Sequence, residues 1–426
     1  MSEAFLYFIW QFQYFDRYAL QTVAGQTLKV LKTGRININS GADFQDSRLL
    51  IDGVEWFGSV EIHVKSSDWN QHQHQTDAAY NNVILHVVWQ NDVTISRPDG
   101  SELPVLELQN LADASAWERY KTLLDTSETI PCGPQFGQVD ELARVSMLDK
   151  ALTQRLERKA GAARDLFQQN QNDWEETAYQ LLAYNFGFKI NSDSFLQLAR
   201  AVPLKILQKH RNNLSQIEAI LYGTAGFLVE PADEYSHLLA REYKVLAAKY
   251  DLKNREMHLH QWKFLRLRPA NFPTVRLAQF AQLVAQQSSF FSLFINVNTA
   301  KELLQKLQVQ QSDYWQQHYV FGKKSTAKVP AVGRGSAENI LINTVVPLLV
   351  TYAHERDNRA YLEKALELVE NLPAEHNHIT EAWEKLGIKI KTAYDSQGVI
   401  EWFNEFCGPK RCLQCNVGVA LVRQKT

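Results

Sequence analysis

The hydrophobic pattern of this chain changes period once, near Pro131, and that change limits what the chain can fold into. Between residues 26 and 109 the apolar runs are short and β-branched: LKVLK, SRLLIDG, WFGSVEIHVK, NVILHVVW, VTISRP and LPVLEL. Turn residues bound each run, and Asp52-Gly53 and Asp99-Gly100 sit between runs as hairpin signals. Ahead of them Ser2-Glu3 opens AFLYFIWQFQYFD, which reads as an N-capped helix with one apolar face. Beyond Pro131 the spacing is helical, as in ELARVSMLDKALTQRLERKAGAARDLFQQ, DWEETAYQLLAYNFGF and AENILINTVVPLLVTYAHE. The expected fold class is therefore α+β. A helix-plus-sheet domain with a largely antiparallel sheet spans 1–130. A larger all-helical domain spans 131–426 and ends in a cysteine cluster. A chain of 426 residues is long enough for two cores. Within the second part the basic loop GKKSTAKVPAVGRGS, residues 322–336, is expected to be mobile.

Charge and composition remove several classes of function. A formal charge of −2 gives no global attraction for a polyanion, so any nucleic-acid surface is a local patch. No apolar run approaches the ~20 residues of a membrane helix, so no membrane partner is expected. The opening MSEAFLYFIWQF carries Glu3 and lacks the basic stretch of a signal peptide. Four cysteines are too few for a disulfide scaffold. A cytoplasmic location is the expectation.

The densest polar chemistry lies between Asn39 and His86. Strand alternation puts Glu61, His63 and Lys65 on one face and Val60, Ile62 and Val64 on the other. Four of the twelve histidines, His63, His72, His74 and His86, fall in this stretch. Asp43 and Glu61 form a carboxylate pair of the kind that holds Mg²⁺ or Mn²⁺. His63 or Lys65 would then orient and deprotonate a water, and His72 and His74 would contact phosphate or a second metal. Each residue also has a plainer role. Asp43 follows Gly41-Ala42 and suits a turn or cap. Asn70 to Gln75 reads equally as a polar loop, His86 as a hydrogen-bonded core histidine, and Trp69 and Tyr80 as packing residues.

The order helix, strand, Asp43, strand, Glu61-x-His63 resembles the PD-(D/E)XK phosphodiesterase superfamily, with its restriction-endonuclease-like fold. The resemblance implies a metal site at Asp43 and Glu61, assisted by an acid in the first helix, where Glu3 stands. His63 occupies the usual lysine position, so it or Lys65 would serve the water. A metal-dependent nuclease, or a protein derived from one, is the function implied. A non-catalytic nucleic-acid or protein-binding scaffold is the second expectation. The third is a cupin-like metalloenzyme, since His72-x-His74 with Asp77 and His86 resembles a cupin ligand set, and imidazoles suit Zn²⁺, Fe²⁺ or Ni²⁺. The chain as a whole resembles an uncharacterised bacterial family known as a domain of unknown function. That resemblance is carried by G41-A-D-F, VEIHVKSSDWNQHQHQTDAAYNNVILHVV, R266-L-R-P-A-N-F-P-T-V-R and C407-G-P-K-R-C-L-Q-C.

Two further groups stand outside this stretch. Cys407, Cys412 and Cys415 have the spacing C-x4-C-x2-C, and Cys132 is the only other cysteine. A structural Cys₄ zinc clasp is the first reading and a [4Fe–4S] cluster the alternative, with buried thiols as the plain outcome. Resemblance supports the cluster, because some PD-(D/E)XK exonucleases carry one with one upstream and three downstream cysteines. Arg266, Arg268 and Arg276, beside Lys263, are expected to contact nucleic-acid phosphate or to pair with carboxylates of the helical domain.

Overall fold

The computed structural model describes residues 1–424, apart from the side chain of Ala114. Two compact units are present: residues 1–147 with the segment from Trp402 onward, and Leu148–Glu401.

The first unit is built on one mixed sheet. Helix α1 (Glu3–Gln11) buries Phe5, Leu6, Phe8, Ile9 and Trp10, an apolar face too wide to leave in water. The strands are β1 (Leu28–Lys32), β2 (Arg35–Ile36), β3 (Phe44–Ile51), β4 (Val54–Lys65), β5 (Val83–Gln90) and β6 (Val105–Glu107). They are ordered β1-β3-β4-β5-β6, with β2 also paired to β3. The Asp52-Gly53 hairpin forms as its residues demand. Both have positive φ, 46° and 81°, and Ile51 pairs with Val54.

The far half of the sheet departs from the antiparallel expectation. β4 pairs with β5, and β5 with β6, in parallel. Parallel neighbours need a crossover, and residues 66–82 supply one. The second Asp-Gly turn closes a tight return bridged at Ser96 and Glu102, inside the β5–β6 connection, so VTISRP adds no strand to the sheet. β4 consequently becomes an inner strand. Residues 54–57 are exposed, while Ser59 to His63 are buried on both faces. The expected half-open strand is thus closed over its polar face.

The second unit is mostly helical, with a core that includes Tyr179, Phe186, Tyr222, Phe280 and Trp315. It is not wholly helical: His318–Val320 and Lys323–Lys324 form a two-stranded ribbon. The basic loop that follows is anchored by Val329 and Val332, both buried.

Candidate metal centre

The register of β3 on β4 sets Phe44 opposite Val60 and so brings Asp43 beside Glu61. The two acids are interlocked through the backbone. Asp43 N donates to Glu61 Oε2 at 3.1 Å, and Ile62 N donates to Asp43 Oδ2 at 2.9 Å. From α1, the Tyr7 hydroxyl donates to Asp43 Oδ1 at 2.6 Å. Burial pushes both carboxyls up, Glu61 to about 8, with the neighbouring Asp43 charge adding to the effect. Glu3 is raised too, by burial and then by Asp43, so the first-helix acid faces the same group.

The imidazoles arrive from two directions. β4 and β5 pair Glu61 with His86, and His63 Nδ1 lies 2.9 Å from His86 Nε2. The crossover brings the other two. It opens with the short helix α2 (Asp68–Gln71), and Gln73 takes a left-handed φ of 62° between His72 and His74. His63 Nε2 is 3.1 Å from His72 Nδ1. Glu61 Oε1 stands 3.3 Å from His74 Nε2 and 3.6 Å from His63 Nε2. Among the described residues, His63, His72 and His74 are the set whose potential ligand atoms all lie within 4.8 Å of one another. Tyr80 stacks on His74 at 3.8 Å between ring centroids, and Trp69 meets His74 and His86 at 5.4 Å. His63 and His86 are buried, His74 half-buried and His72 exposed, so the group opens to solvent on the crossover side.

The donor set suits a cation. Burial, and then the neighbouring imidazoles, hold His63 down at about 2 and His86 at about 3, so both rings are neutral, as ligands must be. His63 meets two other ring nitrogens, and one proton on each neutral ring lets His63 donate to one and accept from the other. His74 Nε2 lies near Glu61 but outside hydrogen-bond geometry, and His74 Nε2, His86 Nδ1 and Trp69 Nε1 are buried without a hydrogen-bond partner. Orphaned donors and acceptors of this kind are costly in a purely structural core.

Asp43, Glu61, His63, His72 and His74 are thus brought together, but not every expected residue joins them. Lys65 ends β4 exposed, and its side chain makes no hydrogen bond or ion pair among the described residues. Alternation puts it on the right face, but the strand has already left the covered part of the sheet. Asp77 caps the 3₁₀ turn that follows it, accepting from Ala79 N at 2.9 Å. Arg276 does not face solvent as a phosphate contact would. Its guanidinium donates to Gln279, Asn271 and Ser336 and lies 4.1 Å from the Phe188 ring centroid. Arg266 and Arg268 are exposed. The four cysteines are all buried, with none in a disulfide. Tyr7 went unforeseen, although its spacing of i, i+4 from Glu3 places both on one helix face. His86 combines two roles, core histidine and hydrogen-bond partner of His63.

A family model described as "Protein of unknown function (DUF2851)" matches residues 3–378. The chain belongs to that family. The matched residues include Asp43, Glu61 and all four histidines of this group and stop short of Cys407. No curated protein and no solved structure matches the chain. None of the helices among the described residues is long and apolar enough to cross a membrane.

Proposed function

We propose that the first unit of this DUF2851 chain is a metal-dependent phosphodiesterase acting on nucleic acid. The observation that carries the reading is Glu61 Oε1 at 3.3 and 3.6 Å from two imidazole nitrogens of a three-histidine set. Glu61, His63, His72 and His74 would hold the cation, with Asp43 locked against Glu61. Three imidazoles with a carboxylate suit Mn²⁺, Zn²⁺ or Fe²⁺ better than Mg²⁺, which favours oxygen. The ion, when bound, lowers the pKa of a coordinated water and polarises a phosphoryl oxygen. The chain's own residues do the positioning. His86 holds the His63 ring through its Nδ1, and the Tyr7 hydroxyl and Ile62 N fix both oxygens of Asp43. Trp69 packs against the rings of His74 and His86, and Tyr80 stacks on His74.

The order helix, Asp, Glu-x-basic and the approach of Glu3 to Asp43 favour phosphodiester chemistry, by resemblance to the PD-(D/E)XK enzymes. A cupin-like enzyme is less well supported. Two parallel strand pairs, β4–β5 and β5–β6, do not suit an antiparallel double-sheet jelly roll. The exposed Arg266 and Arg268 of the second unit are offered as phosphate contacts, and four cysteines free of disulfides fit a reducing, cytoplasmic setting.

The test is hydrolysis of single- and double-stranded DNA and RNA by metal-stripped full-length protein, with Mn²⁺, Zn²⁺ or Mg²⁺ restored in turn. Cleavage with Mn²⁺ that Glu61→Gln lacks is the expected result. If the wild type cleaves none of the four, the scaffold role replaces the enzyme.

A further inference from the structure

We propose that the cleft over strands β1, β3 and β4 binds a single nucleic-acid strand, with Phe57 stacking on a base while Lys32 and Arg48 take phosphate. The proposal rests on the phosphodiesterase reading for the chemistry at Glu61, but strand binding itself does not need it.

Pairing lays the three side chains in one row. Lys32 of β1 stands opposite Arg48 of β3, and Arg48 opposite Phe57 of β4. Directly opposed residues of antiparallel strands share a face, so the row presents two cations and an aromatic ring side by side. The Arg48 guanidinium lies 5.0 Å from the Phe57 ring centroid. Two like charges set opposite one another destabilise a sheet, and a ring left 66 % exposed adds little to the core. An anion that carries a flat apolar face would offset both effects. Arg35 answers Asp46 and Arg48 answers Glu55, which leaves the Lys32 ammonium as the surplus charge. Exposed pairs of this kind are weak, so Arg48 is able to turn to a phosphate.

The row opens on a cleft of about 730 Å³ that adjoins the metal centre. Alternation along β4 sets Phe57, Ser59, Glu61 and His63 on one face, and the first two line the cleft. From Phe57 to Glu61 is about 13 Å of strand. The side walls lead the same way. Gly41 and Ala42 form one and run directly into Asp43, and Asn37 Nδ2 pins it by donating to the carbonyls of Ser40 and Ala42, both at 3.1 Å. Ala79 and Asn82 belong to the other wall, on either side of the Tyr80 that stacks on His74. Ser59 N donates to the Asn82 carbonyl at 2.9 Å. Gly58 permits that approach, since a Cβ there would stand 2.4 Å from the same oxygen.

Size and chemistry select the occupant. Clefts of roughly 300–1,000 Å³ enclose drug-sized ligands, the scale of a nucleotide. A duplex keeps its bases paired and stacked inward and offers Phe57 no free base. A single strand offers both parts that the row matches, phosphate for the cations and an unstacked base for the ring.

Fluorescence anisotropy of a labelled DNA strand of about 12 nucleotides, with full-length protein in EDTA, tests the cleft without cleavage. The single strand should bind roughly fivefold or more tightly than the same sequence annealed to its complement. Phe57→Ala and Phe57→Leu should each weaken it roughly fivefold or more, while Phe57→Tyr, which keeps a flat ring, should not. Lys32→Ala should lower the slope of log affinity against log salt by about 0.7, the share of one phosphate contact on a single strand. No binding of the single strand, equal or tighter binding of the duplex, wild-type affinity in Phe57→Leu or an unchanged salt slope in Lys32→Ala would each overturn the proposal. So would displacement by thymidine monophosphate at equal nucleotide concentration, the mark of a mononucleotide site, or a dimer of this chain that Phe57→Ala dissociates. Failure of the catalytic reading looks different: DNA would bind through Phe57 yet stay intact with every metal.

Discussion

Two buried glutamates of the second unit are answered by side chains in a way that Glu61 of the first is not. In the second unit Glu401 is fully buried and fully answered, with Arg158 at 3.0 and 2.7 Å and Arg155 at 3.3 Å. Glu218, also fully buried, accepts from the hydroxyls of Ser312, at 2.8 Å, and Tyr235. In the first unit Glu61 is almost as buried, at 4 % exposure, yet its hydrogen bond is a single backbone donor on Oε2. Its other oxygen faces imidazoles, among which His74 Nε2 has no hydrogen-bond partner. A buried charge kept for structure is completed by protein partners, because an incomplete one destabilises the fold. A buried charge left incomplete beside other incomplete groups marks a place where a ligand completes it.

The largest expected effect lies in the first unit. Glu61→Gln and His63→Ala should each reduce metal-dependent hydrolysis by roughly 10²-fold or more, the scale of a general base or ligand. The metal-free melting temperature of Glu61→Gln should stay level or rise, because a buried acid without full compensation has been removed. The same kind of change in the second unit should do the reverse. Glu401→Ala leaves the largely buried Arg155 without its carboxylate partner and should cost roughly 3–5 kcal/mol in denaturant unfolding. A Glu401→Ala protein as stable as wild type would break the comparison.

A smaller effect distinguishes Glu218 by pH. Burial raises its carboxyl from the ordinary 4.5 to about 7, although Tyr235 and Ser312 favour the ionised form. The folded value lies above the unfolded one. Its stabilising contribution is therefore complete below pH 4.5 and is lost as pH rises through 7. Unfolding free energy should fall over that window by up to roughly 3 kcal/mol from this group, and Glu218→Gln should remove that part of the slope. The smallest effect belongs to Lys65. Lys65→Ala should change both hydrolysis and stability little, within about 0.5 kcal/mol for an exposed side chain. A large loss of activity in Lys65→Ala would return Lys65 to the role of water-activating residue and move it away from the histidines.

How much of this was legible in the sequence follows from which interactions are local. The Asp52-Gly53 hairpin, α1 and the helices beyond Pro131 were legible because turn chemistry and apolar period lie within a few residues of one another. The parallel pairing of β4 with β5 was not. Val83 to Gln90 would look the same beside either kind of neighbour, and the crossover length alone hints at the answer. Within the site, the partnership of Asp43 with Glu61 was readable from the strand order. The meeting of His63 with His72 and His74 was not, because it depends on how residues 66–82 fold back, with Gln73 left-handed at the bend. Arg276 misled for a related reason. Asn271 and Gln279 lie close to it in sequence, but Ser336 and the ring of Phe188, which complete its burial, come from elsewhere in the second unit.

Glu61 and the three histidines are proposed to form one cation site. Calorimetric titration of Mn²⁺ into metal-stripped wild type, Glu61→Gln and His72→Ala tests it most directly. Mn²⁺ is the right probe because soft thiolates bind it poorly, so the cysteines contribute little heat. One Mn²⁺ per chain is expected in the wild type, with affinity lowered at least tenfold in each variant. Wild type that binds no Mn²⁺, or variants that bind it as tightly as wild type, would show that these four residues do not hold a cation.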